Sequence, residues 1–185
     1  MLHLVLVRHG QCTLNREHRV TGWSLDTPLT ELGLEQAGEA ARKVADLIGT
    51  KAVRVVCSDA LRAVQTACPI AAALGVEAEE TDLAREQYLG EMEGMASSEL
   101  RSMPVPEGKD ITEVSWSGGE TVQQLHARMS RLLNWLEATT PTGGAVVLVG
   151  HGEALRVLVA VRAGRGHREI DWDFVMANGE VRELS

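Results

Sequence analysis

Aromatic residues are scarce in this chain: one Tyr, one Phe and four Trp make up 3% of its 185 residues. Leu, Val and Ala must therefore fill whatever core it forms. Cysteine is scarcer still. Cys12, Cys57 and Cys68 are too few, and odd in number, for a disulfide framework, which suits a reducing cytoplasm. No apolar run approaches the ~18 residues of a membrane-spanning helix. The opening run from Leu2 to Val7 is too short for a secretory signal and ends at Arg8 with no small-residue cleavage site after it. Positive charge is in the minority, 18 Lys and Arg against 26 Asp and Glu, for a net charge of −8. That balance excludes nucleic acid and anionic membrane as bulk electrostatic partners. It does not exclude a small anion, which needs only a local cluster of positive groups. There is no His-Glu-x-x-His and no cysteine pair at zinc spacing, so neither a metal nor another cofactor is expected.

What is present reads as one globular domain over residues 1–185, with 44% apolar and 24% charged residues. Leu2 to Val7 predicts a strand buried on both faces, with His3 at its edge. Residues 15–30 are polar and punctuated by Gly22 and Pro28, a loop. Thr30 is a candidate N-cap for a helix carrying Leu34, Ala37, Ala41, Val44, Ala45 and Ile48 to Gly49. A second strand is expected over Val53 to Cys57, then a helix over Ala60 to Leu74 capped by Ser58, with Pro69 inside it. Residues 76–81 predict a short strand. Residues 103–119 turn to Pro, Gly, Ser and charge, a long irregular segment expected to cover a site. A helix over Val122 to Leu136, a strand over Ala145 to Val149 and a helix over Glu153 to Val161 follow. Residues 170–176 and 180–184 are candidate terminal strands. Strands alternating with helices indicate an α/β fold: a mostly parallel sheet of five or six strands flanked by helices on both faces.

Two of these strands end alike. The first runs into Arg8-His9-Gly10, and the third long one into Gly150-His151-Gly152. In open parallel sheets ligands bind outside the carboxyl ends of the strands. A His placed there twice, each beside a Gly that lets backbone approach closely, marks a site. A third strand end adds Arg62, one turn into a helix whose N-terminus already favours anions. Arg8 and Arg62 can each present a planar fork to phosphate oxygens.

Arg8-His9-Gly10 with Asn15 resembles the signature of the histidine phosphatase superfamily, which includes the phosphoglycerate mutases. The resemblance continues through Thr21-Gly22-Trp23, Asp26-Thr27-Pro28-Leu29-Thr30, Gly33, Gln36 and Ala37. Ser58-Asp59, the run from Arg62 to Ala67, Glu86, Gly90, Glu93-Gly94, the run from Gly118 to Thr121 and His151-Gly152 follow in family order. The resemblance implies a phosphoglycerate mutase-like fold in which one strand can run antiparallel. It implies a metal-independent phosphatase in which His9 is the nucleophile and forms a phosphohistidine that water resolves. Arg8, Arg62 and His151 would hold the phosphoryl oxygens, with Asn15 as a neutral donor and Thr21, Gly22 and Gly152 lining the substrate site. Glu86 would give a proton to the leaving alkoxide and later take one from water. His9 must be neutral at its attacking nitrogen, so its other nitrogen should donate to an acceptor such as a backbone carbonyl.

The chain departs from the family pattern at Cys12, where Thr is usual, at Gln11 in place of Glu, and at Glu153, which is placed to repel acidic leaving groups. Cys12 reads as a small filler or a reactive thiol. Trp23, Met92, Met95 and Trp116 are candidates for an apolar rim. A cysteine phosphatase is excluded, because Cys-x5-Arg is not met: His18 follows Cys12 and Ala63 follows Cys57 at that spacing. The run from Asp171 to Val175 mimics an aspartate-phosphatase signature but lies too near the end of the chain to open a domain. Two alternatives stay open: a phosphoglycerate mutase, although residues 84–118 offer only Arg85, Arg101 and Lys109, and a catalytically silent protein that binds a phosphate ligand or a partner. The expected partner is a small phosphorylated substrate. Its identity and the oligomeric state, a homodimer included, are not legible.

Overall fold

The computed structural model describes residues 2–49, 52–101 and 104–184. In chain order the elements are β1 (His3–Arg8), a one-turn α1 (Thr13–Arg16), α2 (Glu31–Ile48), β2 (Val53–Ser58), α3 (Leu61–Leu74) and β3 (Ala78–Thr81). They continue with α4 (Ser97–Arg101), α5 (Val122–Thr139), β4 (Ala145–Gly150), α6 (Gly152–Arg162) and β5 (Val181–Leu184). The five strands form one sheet in the order β3-β2-β4-β1-β5. All neighbours are parallel except β5, which runs antiparallel to β1 and pairs Leu4 with Leu184 and Val7 with Val181.

The central strands explain why the sequence shows unbroken apolar runs there. Leu4, Leu6, Val146 and Leu148 point to one face and pack under α5 and α6, against Leu125, Leu132, Leu136 and Leu155. Val5, Val7, Val147 and Val149 point to the other face and meet Val44 and Ile48 of α2 and Ala63, Ala67 and Ile70 of α3. Strands sandwiched in this way have no polar side, and each buried Val or Leu contributes about 1.5–3 kcal/mol relative to exposure. Local signals fix the helix starts. Thr30 Oγ1 accepts from the Gly33 N–H at 3.1 Å, and Thr121 and Gln124 form a reciprocal capping box at the start of α5. Gly75, at φ +69°, ends α3.

The structure corrects several details. Ser58 is the last residue of β2 and not the cap of α3; Ala60 holds that position, and Ser58 Oγ accepts its N–H at 3.2 Å. The loop expected from residue 15 begins inside α1. Residues 170–176 form no strand. Asp171 Oδ1 takes the Asp173 N–H at 3.0 Å, a local bond that competes with a ladder, while β5 occupies the edge of β1. The irregular segment includes one 3-10 turn (Ile111–Glu113), capped by Asp110; its first residue, Met103, lies outside the described residues. Among the described residues no helix is long and apolar enough to cross a membrane.

Candidate active site

The parallel register of β1 and β4 sets Arg8 opposite Gly150, and the His9 N–H continues the ladder to the Gly150 carbonyl at 3.0 Å. The two following histidines therefore emerge side by side: the rings of His9 and His151 lie 5.1 Å apart, edge to face. His9 is 1% exposed and His151 not at all. Arg62, fully buried in the first turn of α3, and Arg8 complete the cluster.

Each group is held from behind by backbone. Arg62 Nη1 and Nη2 donate to the carbonyls of Ser24 at 2.6 Å and Gly22 at 2.9 Å. Arg8 Nη1 donates to the Met176 carbonyl at 2.6 Å. Gly179 N–H reaches the Arg8 carbonyl, and Asn178 Nδ2 donates to the His9 carbonyl at 3.1 Å. Gly10 allows the turn after His9 to lie directly on α2: a Cβ there would sit 2.3 Å from the Gly33 carbonyl oxygen. Among the described residues, Arg8 Nε, Arg62 Nε and both ring nitrogens of His151 are buried without a partner. Buried unpaired polar atoms cost about 1–3 kcal/mol each, and an anion would satisfy the two guanidinium Nε–H groups and the one N–H of His151 together.

His9 Nδ1 lies 2.7 Å from the Gly10 carbonyl oxygen. A carbonyl only accepts, so Nδ1 carries the proton and Nε2 keeps its lone pair. Burial, reinforced by Arg62 and Arg8, holds the His9 pKa well below the ordinary histidine value. Burial, then Arg62 and His9, does the same to His151. Both rings are therefore neutral near pH 7.

Asn15 Oδ1 accepts from the Cys12 N–H at 3.3 Å, from Cys12 Sγ at 3.2 Å and from Asn178 Nδ2 at 3.1 Å. The backbone donor fixes which end of the amide is oxygen and leaves Nδ2 as a donor on a residue that lines the cavity. Cys12 is fully buried, and its thiol makes the contact to Asn15 that a hydroxyl would make. Glu86 sits across the first turn of α6. Its carboxylate accepts the N–H groups of Ala154 at 2.9 Å and Glu153 at 3.2 Å, and that of Gln87 at 3.0 Å.

The cavity in front of this cluster has a volume of about 520 Å³. Arg8, Asn15, Thr21, Gly22, Glu86 and Gly152 all line it, so the structure brings the sequence-derived residues to one place beside the buried His9, Arg62 and His151. Met92 and Trp116 line it too, but Trp23 and Met95 do not. Trp23 instead donates its indole N–H to the Glu86 carbonyl at 2.7 Å and stacks on Tyr88. Ile111, Val114 and Trp116 make the irregular segment a wall of the cavity. Glu153 lines it as well. The surrounding protein pushes its carboxyl pKa up, neighbouring Glu86 adds to that, and both of its oxygens pair with Arg156.

Sequence reasoning missed Arg128. It lies on the buried face of α5 and pairs bidentately with Glu120 at 2.9 and 2.7 Å. Its remaining donors go to the carbonyls of Leu83, Arg85 and Glu86 at 2.8, 2.7 and 2.9 Å. The available signal was an Arg at helical spacing among Leu125, Met129 and Leu132. Met176 and Asn178 carried no such signal, because a tail reveals nothing until it is folded against the site. Among the described residues no group of three or more His, Cys, Asp or Glu side chains could hold a metal ion.

The family model described as the histidine phosphatase superfamily (branch 1) matches residues 4–185. A fructose-2,6-bisphosphatase TIGAR of Xenopus tropicalis is 33% identical over 137 residues, 72% of this chain and 49% of that protein. The chain thus spans about half the length of that curated relative. A probable phosphoglycerate mutase GpmB of Yersinia pestis is 31% identical over 179 residues, 89% of this chain and 76% of that one. Among solved structures, a mycobacterial glucosyl-3-phosphoglycerate phosphatase in complex with VO3 superposes with a TM-score of 0.85 at 30% identity. That match covers 100% of this chain and 91% of the mycobacterial one.

Proposed function

This chain belongs to the histidine phosphatase superfamily, and from that premise we propose that it is a phosphomonoesterase that hydrolyses a small phosphorylated metabolite through a phosphohistidine. The observation that carries the proposal is the pairing of His9, neutral with Nδ1 tied to the Gly10 carbonyl, with the unpartnered donors of Arg8, Arg62 and His151. Nε2 of His9 attacks phosphorus as the P–O bond to the leaving group breaks. Glu86 supplies the proton that the leaving alkoxide takes. Water then attacks the phosphohistidine, gives its proton back to Glu86, and phosphate leaves with His9 restored. Arg8, Arg62 and His151 hold the three non-bridging oxygens, and Asn15 Nδ2 adds a neutral donor, so negative charge is met throughout by fixed groups. Thr21, Gly22 and Gly152 shape the wall around the bound phosphate.

The test is release of phosphate from p-nitrophenyl phosphate and a panel of natural phosphomonoesters, with EDTA present, by wild type and by His9→Ala. EDTA-resistant turnover that vanishes in His9→Ala is expected. The likeness to the probable phosphoglycerate mutase GpmB of Yersinia pestis supports a second reading, so 3-phosphoglycerate with its bisphosphate cofactor belongs in the same experiment. Phosphoryl transfer without net release would favour that reading. Arg85, one of the few cations available for it, is already paired with Asp59 through two nitrogens. No turnover of any substrate would leave a phosphate-binding protein without catalysis.

A further inference from the structure

Of the phosphate cluster Arg8 lines the cavity, and His9, Arg62 and His151 lie buried beside it. Much of the remaining wall is apolar: Leu89, Ile111, Val114, Trp116, Trp172 and Val175 line the same cavity. Three of these are large apolar side chains left in water, with Ile111 50%, Trp172 44% and Val175 58% exposed. The six come from separate stretches of chain, residues 89, 111–116 and 172–175, and line one cavity. Scattered exposed apolar residues are ordinary, but a set that lines one cavity together with Arg8 and Glu86 is suited to bind a ligand.

Charge on the wall points the same way. Among the described residues, each cation lining the cavity other than Arg8 has a carboxylate partner. Arg156 Nη1 meets both oxygens of Glu153 at 2.5 and 2.6 Å, its Nε donates to the Phe174 carbonyl at 2.8 Å, and its guanidinium lies 5.7 Å from the Trp172 ring centre. Arg19 is 3.8 Å from Glu17 and donates to the Gly94 carbonyl at 2.5 Å. The acids Glu86 and Glu153 share the wall. A second phosphate or a carboxylate on the leaving group would thus meet two acids and, Arg8 apart, no lining cation of the described set without a carboxylate partner. An apolar group would meet two indoles and four aliphatic side chains, and gain by drying them.

We infer that the preferred substrate is a monophosphate ester of an apolar, uncharged alcohol, with the aromatic or aliphatic leaving group packed between Trp116, Trp172 and Val175. This rests on the phosphatase reading. It departs from what the names of the relatives state, since fructose 2,6-bisphosphate and glucosyl-3-phosphoglycerate both carry a second anionic group.

Phenethyl phosphate, glycerol 3-phosphate and 3-phosphoglycerate all release alkoxides, so their intrinsic reactivities are comparable and kcat/KM compares the subsite. Phenethyl phosphate should exceed glycerol 3-phosphate at least about tenfold, and 3-phosphoglycerate by more. Trp172→Ala and Val175→Ser should each lower kcat/KM for phenethyl phosphate several-fold more than for glycerol 3-phosphate. Val175 is mostly exposed, so its replacement leaves folding intact. Equal kcat/KM for the first two esters, or a preference for 3-phosphoglycerate or fructose 2,6-bisphosphate, would overturn the inference. Calorimetric binding of phenethylphosphonate against 2-hydroxyethylphosphonate separates the two ideas. Tighter binding of the phenethyl compound without turnover of any ester keeps the subsite and sinks the phosphatase reading, whereas equal binding removes the subsite whatever the turnover.

Discussion

Arg128 donates through Nη2 to the backbone carbonyl of Glu86 at 2.9 Å, so the loop that carries the proposed proton donor is held by a guanidinium on α5. Trp23 Nε1 shares that carbonyl at 2.7 Å. The Glu86 backbone is thus fixed from one side by α5 and Trp23, while its carboxylate is fixed from the other by the first turn of α6. Arg128 is a positioning residue. Lys in its place has one ammonium for two Glu120 oxygens and three carbonyls, and cannot serve them all. Arg128→Lys is expected to fold and to lower kcat by about tenfold to a hundredfold with KM little changed, because a small misplacement of a reacting group has that effect. Arg128→Ala should cost about 1–3 kcal/mol of stability, since Glu120, with its side chain only 14% exposed, loses its charged partner. Steady-state kinetics and urea unfolding of the two variants measure both.

Gly10 and Gly33 hold the loop after His9 against the start of α2. An added Cβ on Gly10 would lie 2.3 Å from the Gly33 oxygen, and one on Gly33 would lie 2.1 Å from the Gln11 oxygen. Both obstacles are backbone, which cannot swing away as a side chain can. Gly10→Ala should therefore destabilise by about 1–3 kcal/mol and shift His9, with loss of most turnover. Urea midpoints and turnover of p-nitrophenyl phosphate test it. A variant with wild-type values in both would show that the loop has slack.

The fold was legible because β1, β2 and β4 are buried on both faces and so read as short unbroken apolar runs, and because Thr30 and Thr121 cap long amphipathic helices. The site was legible because His9, Arg62 and His151 each follow such a strand, where a parallel sheet gathers its strand ends. What the sequence hid depends on contacts distant along the chain. Met176, Asn178 and Gly179 reach Arg8 and His9 only because β5 pairs with β1. The candidate strand over residues 170–176 failed for a local reason, the Asp171 turn, that alternation of residue type does not reveal. Trp23 carried a motif position yet faces Tyr88 and not the cavity, which no spacing rule could decide.

Arg62 should matter through its charge as well as its donors. Each of its Nη groups gives one N–H to Ser24 or Gly22, so the unpartnered Nε and the guanidinium charge are what it would offer the proposed phosphate. Arg62→Ala is expected to lower kcat by about a hundredfold to a thousandfold, the usual effect of removing one preorganised donor at a developing anion. Arg62 is also the first cation holding the His9 pKa down after burial itself. The same variant should therefore raise the His9 pKa, visible in the imidazole resonances of a pH titration by NMR. An unmoved His9 titration would show that burial alone sets it.

His9 and His151 together make acid stability the most direct solution test of the site. Both have folded-state pKa values well below the ordinary 6.5, because burial and the nearby arginines disfavour a charged ring. The unfolded chain takes up a proton at each near pH 6.5, and the native protein takes up neither until much lower pH. Stability is therefore fully present above about pH 6.5 and is lost as pH falls toward the folded values. The slope approaches about 1.4 kcal/mol per pH unit for each histidine, so up to about twice that for the pair. Denaturant melts at half-unit steps from pH 7 to pH 5 should show this loss, in a range above that in which the paired carboxylates of Asp59 and Glu79 begin to contribute. His151→Gln should remove about half of the slope while leaving its sign. Bound phosphate, by offering the histidines an anion, should flatten it in the wild type. A wild-type protein with constant stability across that range would mean that both rings titrate in the folded state as they do in the unfolded chain, and the argument that burial holds His9 neutral would have to be abandoned.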